Sequence, residues 1–294
     1  MAKARALDRR RKSIRGIRKI TRTMELISTA RFRRAMQRAT AAADYTERIT
    51  KLVADLAHSG LEVTHPLLEP RAETRRALLL VLSANRGMCA GYNGNIVRLA
   101  SARFKELRKD VPEVRLEVSG KRGISAFRFR KTPPDEAFLQ FEDRPAYDEV
   151  ELLANRYLDD FRAGRIDRLD VAYTKFESFS RQSAVVETLL PLARPEENNR
   201  NHRTSAAETF YEFLPSAESL LEEVVPMSFR VRLFKCFLDA AVSEQIARMI
   251  AMKAATENAD TMISNLSMAY NRARQGQITG ELLEVISGAE ALNG

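Results

Sequence analysis

The chain has few of the residues that build disulfide frameworks and metal sites. Its 294 residues include two cysteines, three histidines and no tryptophan. Cys89 and Cys236 lie far apart and form no CxxC motif, so neither a disulfide framework nor a structural zinc site is predicted, and a reducing compartment is favoured. The histidines lack the spacing of metal ligands. We therefore expect no metal site and no cofactor.

Long apolar runs are also missing. No stretch of about 18 apolar residues occurs, so no segment is predicted to span a membrane. The N-terminus is basic, but no apolar segment follows it, so no secretory signal is predicted. A hydrophobic content of 45% is nevertheless enough for a folded core and argues against wholesale disorder.

Proline is absent from two long segments, one at each end of the chain. The first runs from about Lys3 to Ala57 with one glycine, Gly16, and the second starts after Pro226. Apolar residues recur every three or four positions in both, which predicts helices with one apolar stripe. At a rise of about 1.5 Å per residue, they would be roughly 80 and 95 Å long. Because such helices cannot bury their stripes on one small core, we predict that they pair as an antiparallel coiled coil.

The domain organisation follows from the breaks in this pattern. Ser59-Gly60 is a stop signal for the first helix, and the polar stretch 194–208 is predicted to be a loop. The predicted domains are an N-terminal helix at 1–60, a central α/β domain at 70–193 and a C-terminal helix at 209–294. The two helices are expected to form one discontinuous coiled-coil domain.

Between the terminal helices, predicted strands alternate with helices. The first strand, 77–82, is wholly apolar, as expected of a strand that is buried on both faces. The strand–helix–strand order favours a Rossmann-like domain with a mostly parallel sheet and helices on its faces. The other predicted strands are 114–118, 137–141, 169–176 and 185–190, and the predicted helices are 96–107 and 149–161.

A glycine-rich turn, 83–94, follows the first strand. Turns of this kind often bind nucleotides, but the glycine spacing is not GxGxxG and no GK[ST] motif follows. Cys89 in this turn has no candidate base close in sequence, so we interpret it as a small buried residue and not as a nucleophile. A second turn, 120–123, carries two cations and is predicted to be a solvated loop.

Positive charge is concentrated in the first helix. The net charge of the chain is +9, and residues 1–38 hold fourteen Lys or Arg against two acids, Asp8 and Glu25. The remaining residues, 39–294, carry a small net negative charge. A helix of this charge is expected to face a nucleic acid, an anionic lipid or an acidic protein surface.

Several separated motifs resemble those of the γ subunit of F-type ATP synthase, in the same order and over essentially the whole chain. They are KITRTMELISTAR (19–31), RGMCAGYN (86–93), LLPL (189–192), SEQIARMIAMKAATENA (243–259) and ARQGQITGELLEVISGA (273–289). Two departures stand out. Gly16-Ile17-Arg18 replaces the family's usual Asn-Thr-Gln, and Ala90 replaces a usual glycine in the central turn.

The resemblance implies a rotor subunit that is not itself an enzyme. In that family the terminal helices form a shaft inside a ring of three α and three β subunits, and the central α/β domain lies against the ε subunit and the membrane c-ring. Ion flow turns the ring and the shaft, which drives the catalytic β sites through open and closed states. The resemblance further implies a protein that binds no nucleic acid and is peripheral to the membrane through the c-ring, on the cytoplasmic face of a bacterial plasma membrane.

The resemblance also implies contacts with the α/β hexamer. An acidic loop of the β subunits would face the cationic first helix through weak, hydrated contacts. Met24 matches the family position that faces this loop, and Arg248 lies in the matching stretch of the last helix. The polar group that meets a β-subunit loop is matched by Arg274, Gln275, Thr279 and Glu281. Without the resemblance, each would be interpreted as part of a solvated helix face, and Met24 as a residue of the coiled-coil stripe.

Two other functions compete when the residues are considered alone. A basic coiled-coil protein that binds nucleic acid would use residues 1–38 for phosphate contacts, but this segment contains only one aromatic residue, Phe32. A nucleotide-dependent α/β enzyme is disfavoured by the incomplete glycine motif. Neither function accounts for the motifs near the C-terminus.

Overall fold

The computed structural model describes residues 2–58, 65–69, 71, 73–141, 144–192 and 217–293. Within these ranges the chain forms five helices and five strands. The helices are α1 (Ala2–His58), α2 (Tyr92–Asp110), α3 (Lys121–Phe129), α4 (Tyr147–Arg162) and α5 (Ala217–Asn293). The strands are β1 (Arg76–Leu82), β2 (Glu113–Ser119), β3 (Glu136–Phe138), β4 (Arg168–Ser178) and β5 (Arg181–Leu190).

The chain divides into two compact units. One consists of Met1–Thr29 and Arg248–Gly294, and the other is Ala30–Ala247, which contains the whole sheet. The domain boundaries expected from the sequence, at 1–60, 70–193 and 209–294, stay a prediction. The expected loop at 194–208 and the stop signal at Ser59-Gly60 lie outside the described residues.

The sheet is mostly parallel, as the alternation of strands and helices predicted. Its strand order is β3-β2-β1-β4-β5, and only β4 and β5 pair in antiparallel fashion. In the central strand β1, Leu79 pairs with Leu116 of β2 on one side and with Asp170 of β4 on the other. Because helices cover both faces of β1, its whole apolar run is buried.

Each face of the sheet has its own core, because successive side chains of a strand point to opposite faces. On one face, Leu79 and Val81 pack with residues of α2 and α3. On the other face, Leu78 and Leu80 pack with residues of α4 and of α5, including Phe229. The α2 and α3 helices therefore lie on the opposite side of the sheet from α4.

The segment 120–123 is the start of helix α3, so the prediction of a solvated loop there is wrong. Gly123, Ile124 and Phe127 are buried, and these few positions give too short a pattern for helical periodicity to stand out. Gly120 has a φ of 97°, and a Cβ at this position would lie 2.0 Å from the carbonyl oxygen of Ser83. Only glycine fits this close approach.

The last helix begins before Pro226, so the prediction that it starts after this proline is wrong. Helix α5 begins at Ala217 and contains Pro226 in its interior. Proline removes one helical hydrogen bond, but its fixed φ is compatible with a helix. Val225 and Phe229 on either side are fully buried in the sheet core, and this packing offsets the lost bond.

The terminal helices pair in antiparallel fashion, as predicted. In the unit formed by the chain ends, the hydroxyl groups of Thr21 and Thr256 are 2.9 Å apart, and Arg18 pairs with Asp260. The guanidinium group of Arg11 lies 4.7 Å from the ring centre of Tyr270. In the sheet-bearing unit, separate apolar contacts join α1 and α5. These involve Ala35, Ala39, Leu238, Val242 and Ile246.

Candidate functional site

The first residues of the glycine-rich turn, 83–85, bind the N-terminus of α3. The first three backbone N–H groups of α3 donate to the side chain of Asn85, the carbonyl oxygen of Ala84 and the hydroxyl of Ser83, at 2.9, 3.0 and 2.9 Å. A phosphate at this helix N-terminus would need the same N–H groups. The start of the turn is therefore tied to α3, and these α3 groups are not available to a phosphate.

Cys89 is buried, which confirms the burial predicted from the sequence; its lack of a nucleophilic role stays a prediction. Its side chain is 2% exposed and packs with Ala84 and Tyr92. The side-chain amide of Asn93 donates to the Cys89 sulfur at 3.0 Å. The other cysteine, Cys236, is also buried, and its burial raises the pKa of the thiol.

Ala90 has a φ of 46°, in the left-handed region that disfavours residues with a Cβ. We expect Ala90→Gly to raise the free energy of unfolding by about 1 kcal/mol, because glycine adopts this conformation without strain. Ala102→Gly, at an exposed site within α2, is the matched control and should lower it by about 1 kcal/mol. Denaturant unfolding measures both. Two changes of the same sign would contradict this account of the turn.

Asp239 of α5 is a buried carboxyl group whose Oδ2 has no hydrogen-bond partner among the described residues. Burial raises its pKa to about 6, although Lys235 and Lys175 act in the opposite direction. Glu187 reinforces the rise through its negative charge. A carboxyl group whose folded-state pKa is raised destabilises the fold as pH rises from its unfolded pKa through its folded pKa.

Asp239→Asn should therefore stabilise the chain increasingly as pH rises. Between about pH 4 and pH 8, we expect the free energy of unfolding of the variant to gain roughly 2 kcal/mol on that of the wild type. Denaturant titrations at several pH values measure this gain. Parallel stability curves for the two chains would show that Asp239 does not titrate in this range.

Half of the fourteen cations in residues 1–38 are unpaired within the described chain. Six of the others have partners within the chain, among them Arg11 with Asp8 and Arg22 with Glu25. The seven unpaired side chains have no ion pair or hydrogen bond to any residue that the structure describes. They are Arg9, Arg10, Arg15, Lys19, Arg33, Arg34 and Arg38. These seven side chains are exposed, and the acidic partner expected from the sequence stays a prediction.

Part of this charge borders an apolar groove in the sheet-bearing unit. Two adjoining cavities of about 680 and 240 Å³ share Arg38, Arg144 and Pro145 in their walls. The larger one is otherwise lined mainly by small and aromatic side chains, including Tyr45 and Phe234. No acidic residue among those described lines either cavity. The groove therefore combines a cationic rim with an apolar floor.

The six residues matched to contact positions lie in different environments. Met24 is half-buried, and Arg248 is only 4% exposed, so its side chain is largely enclosed by this chain. The remaining four lie together on exposed positions near the end of α5. They are Arg274, Gln275, Thr279 and Glu281. Their role as contacts to the α/β hexamer stays a prediction.

The end of α5 is apolar on several sides, a feature that sequence reasoning missed. Because α1 and α5 are antiparallel and Arg11 lies beside Tyr270, Ala2 lies opposite roughly residue 279. The last turns of α5 therefore extend beyond α1. Their large apolar side chains are exposed, and Val285 reaches 71%. The others are Ile278, Leu282, Leu283 and Ile286. The sequence does contain a pattern that indicates this feature. The apolar residues at positions 282, 283, 285 and 286 lie on different sides of a helix, so the single apolar stripe of α5 ends here.

Neither a membrane-spanning helix nor a group of metal ligands occurs in the described part of the chain. No helix in these ranges is long and apolar enough to cross a membrane. No three side chains among His, Cys, Asp and Glu in the same ranges are grouped so that they would hold a metal ion.

Comparison with known proteins decides the family. A model of the ATP synthase family matches residues 3–292. The ATP synthase gamma chain of Rhodopirellula baltica is 61% identical over the full length of both chains. The chain belongs to the ATP synthase gamma chain family. Its role is accordingly that of the central-stalk subunit, which carries no active site, since catalysis lies on other subunits of the complex.

Solved structures share the fold at low sequence identity. The rotor of the Euglena gracilis mitochondrial ATP synthase in rotational state 1 is 17% identical, with 94% of this chain and 99% of that chain covered and a TM-score of 0.65. A chain from the OSCP, F1 and c-ring part of the same enzyme, in rotational state 3, is also 17% identical. It covers 99% of this chain and 95% of that chain, with a TM-score of 0.66.

Proposed function

We propose that this central-stalk subunit is a rotating shaft that couples ion flow through a membrane ring to ATP synthesis or hydrolysis in a hexamer of α and β subunits. The observation that carries the proposal is the exposed apolar end of α5. A helix that is apolar on several sides is stable in water only when a partner encloses it. A hexamer with a central opening provides such an enclosure.

The charge on α1 supports an acidic protein partner. The unpaired arginines Arg34 and Arg38 border a groove with an apolar floor. An acidic segment with some apolar side chains would satisfy both parts of this groove, whereas a nucleic-acid backbone would leave the apolar floor exposed. Because single exposed ion pairs contribute little, such contacts allow the two surfaces to move past each other.

The membrane side of the assembly is inferred by analogy. The related Euglena chain belongs to a structure that comprises OSCP, F1 and a c-ring. We infer that the sheet-bearing unit of this chain contacts a c-ring and an ε subunit, and that the protein is thereby peripheral to the membrane. The Rhodopirellula relative supports a bacterial setting, in which the stalk lies at the cytoplasmic face of the plasma membrane.

Thiol labelling tests the enclosed end of α5 directly. Val285→Cys introduces the only exposed cysteine among the described residues, because Cys89 and Cys236 are buried. In the free chain a maleimide should react rapidly at this position. In the complex purified from cells, which is expected to contain α and β subunits, the rate should fall by at least an order of magnitude. Equal rates in the two forms would contradict an enclosed end, and stoichiometric nucleic acid in place of α and β would favour the alternative function.

A further inference from the structure

The helices α2 and α3 present a strongly cationic outer surface, here called the α2–α3 face. Both helices bury apolar residues, such as Phe104 and Phe127, against the same face of the sheet. Their outward positions carry exposed cations on α2 from Arg98 onward, on α3 and just beyond α3. The cations of the α2–α3 face are Arg98, Lys105, Arg108, Lys109, Lys121, Arg122, Arg128 and Lys131.

These cations are not neutralised by the chain. None of the eight forms an ion pair with an acid among the residues that the structure describes. Arg108 instead lies over the ring of Phe104, at 5.1 Å from its centre. The two helices contain only two acids, and one of them, Glu106, already pairs with Arg103 at 3.2 Å. The described residues of the α2–α3 face therefore carry a large excess of positive charge, although Glu106 and Asp110 are also exposed on α2.

An exposed aromatic ring lies within this positive surface. Phe129, the last residue of α3, is 89% exposed. The next residue, Arg130, donates to the carbonyl oxygen of Val97 at 3.1 Å and to the hydroxyl of Ser101 at 2.8 Å. These bonds fix the end of α3 against α2 and hold Phe129 among the cations. With 89% of the residue exposed, packing against the described part of the chain does not account for a phenylalanine at this position.

Helix α4, on the opposite side of the sheet, has a net negative charge, with five acids against two arginines. Helix α4 packs on that side and exposes Asp148, Glu149 and Asp159. It also exposes an apolar side chain, Leu152, which is 73% exposed. The α2–α3 face and α4 thus each expose an apolar residue but differ in charge, and of these two an anionic surface would attract the α2–α3 face.

We propose that the α2–α3 face binds the surface of a membrane that contains anionic lipids, with Phe129 inserted among the headgroups. Cations distributed over a broad face suit a surface of many mobile phosphates, and an aromatic ring among them gains by leaving water at the interface. Because the lipids of a fluid membrane are mobile, contacts with them would not hold a rotating subunit at one angle. This contact goes beyond the proposed function, in which the chain reaches the membrane only through a c-ring.

A fluorescent label at two matched sites tests the proposal on the full chain. Phe129→Cys and Leu152→Cys are each labelled with an environment-sensitive dye, and the buried native cysteines remain unlabelled. The probe is a vesicle of equal parts phosphatidylglycerol and phosphatidylcholine, compared with one of phosphatidylcholine alone. We expect a blue shift and a several-fold rise in emission at position 129 with the anionic vesicle only, and no change at position 152. High salt should reverse the change.

Charge variants separate this face from the cationic helix α1. In the labelled Phe129→Cys chain, Lys105→Gln, Lys109→Gln and Arg128→Gln together should abolish most of the emission change. The matched triple change on α1, Arg9→Gln, Arg10→Gln and Lys19→Gln, should preserve it. If the chain binds the vesicles while the dye at position 129 stays in water, α1 is the membrane contact and the proposal is wrong. Equal changes at 129 and 152, or a change caused only by an oligonucleotide, would overturn it as well.

Discussion

Ala255→Pro is expected to abolish most ATP-driven ion pumping while reducing ATP hydrolysis far less in the complexes that still assemble. Ala255 lies inside α5, between Met252 and Thr256, which are buried. Proline removes one backbone hydrogen bond and clashes with the preceding turn, at a cost of about 3 kcal/mol or more. The resulting kink would also displace Thr256 from its hydrogen bond to Thr21. A shaft interrupted in this way transmits torque poorly, although the catalytic sites on other subunits remain intact.

Pumping and hydrolysis are measured in the same membrane vesicles, so that the ratio of the two rates does not depend on the amount of assembled complex. Ala255→Ser is the matched control, because serine keeps the backbone N–H group and the helix. It should leave the ratio of pumping to hydrolysis close to that of the wild type. If Ala255→Pro lowers pumping and hydrolysis in equal proportion, α5 is not the element that carries torque.

Reversing the charge of Arg33, Arg34 and Arg38 is expected to reduce assembly with α and β subunits several-fold at low salt. All three side chains are exposed and have no ion pair among the residues that the structure describes. Glutamate at these positions would replace attraction to an acidic partner with repulsion, and the effect should weaken as salt screens the charges. Yield of the purified complex and its ATPase rate at two salt concentrations measure the change.

The control for this experiment keeps the charge and changes the side chain. Lysine at the same three positions should support assembly close to the wild-type level, because weak and hydrated contacts do not need the geometry of the guanidinium group. Unchanged assembly of the glutamate variant at low salt would show that the cationic face of α1 does not meet an acidic partner. If the glutamate and lysine variants lost assembly to the same extent, the shape of the arginine side chains would be required and not their charge.

Strong periodicity made the long helices and the central sheet predictable. The wholly apolar run 77–82 became the buried strand β1, because a strand covered on both faces needs no polar side. Helix α3 was missed because its few buried residues carry too little periodicity. The start of α5 was misplaced because local rules treat Pro226 as a boundary, whereas burial of Phe229 in the sheet core outweighs one lost hydrogen bond.

The candidate site was only partly predictable. The charge of α1 is a property of composition and could be read directly, but which cations remain unpaired depends on the acids that folding brings near them. The burial of Arg248 likewise depends on packing that no local pattern reveals. The apolar end of α5 became evident once the register of the helix pair showed that α1 begins opposite roughly residue 279.

Direct observation of rotation tests the central claim that this chain turns within a fixed hexamer. The complex is held to a surface through its α or β subunits, and a visible probe is attached to Leu152→Cys, an exposed position in the sheet-bearing unit. On addition of ATP, the probe should turn continuously in one direction, and it should stop when hydrolysis is inhibited. A stationary probe on a complex that hydrolyses ATP at its normal rate would contradict a rotor role for this chain.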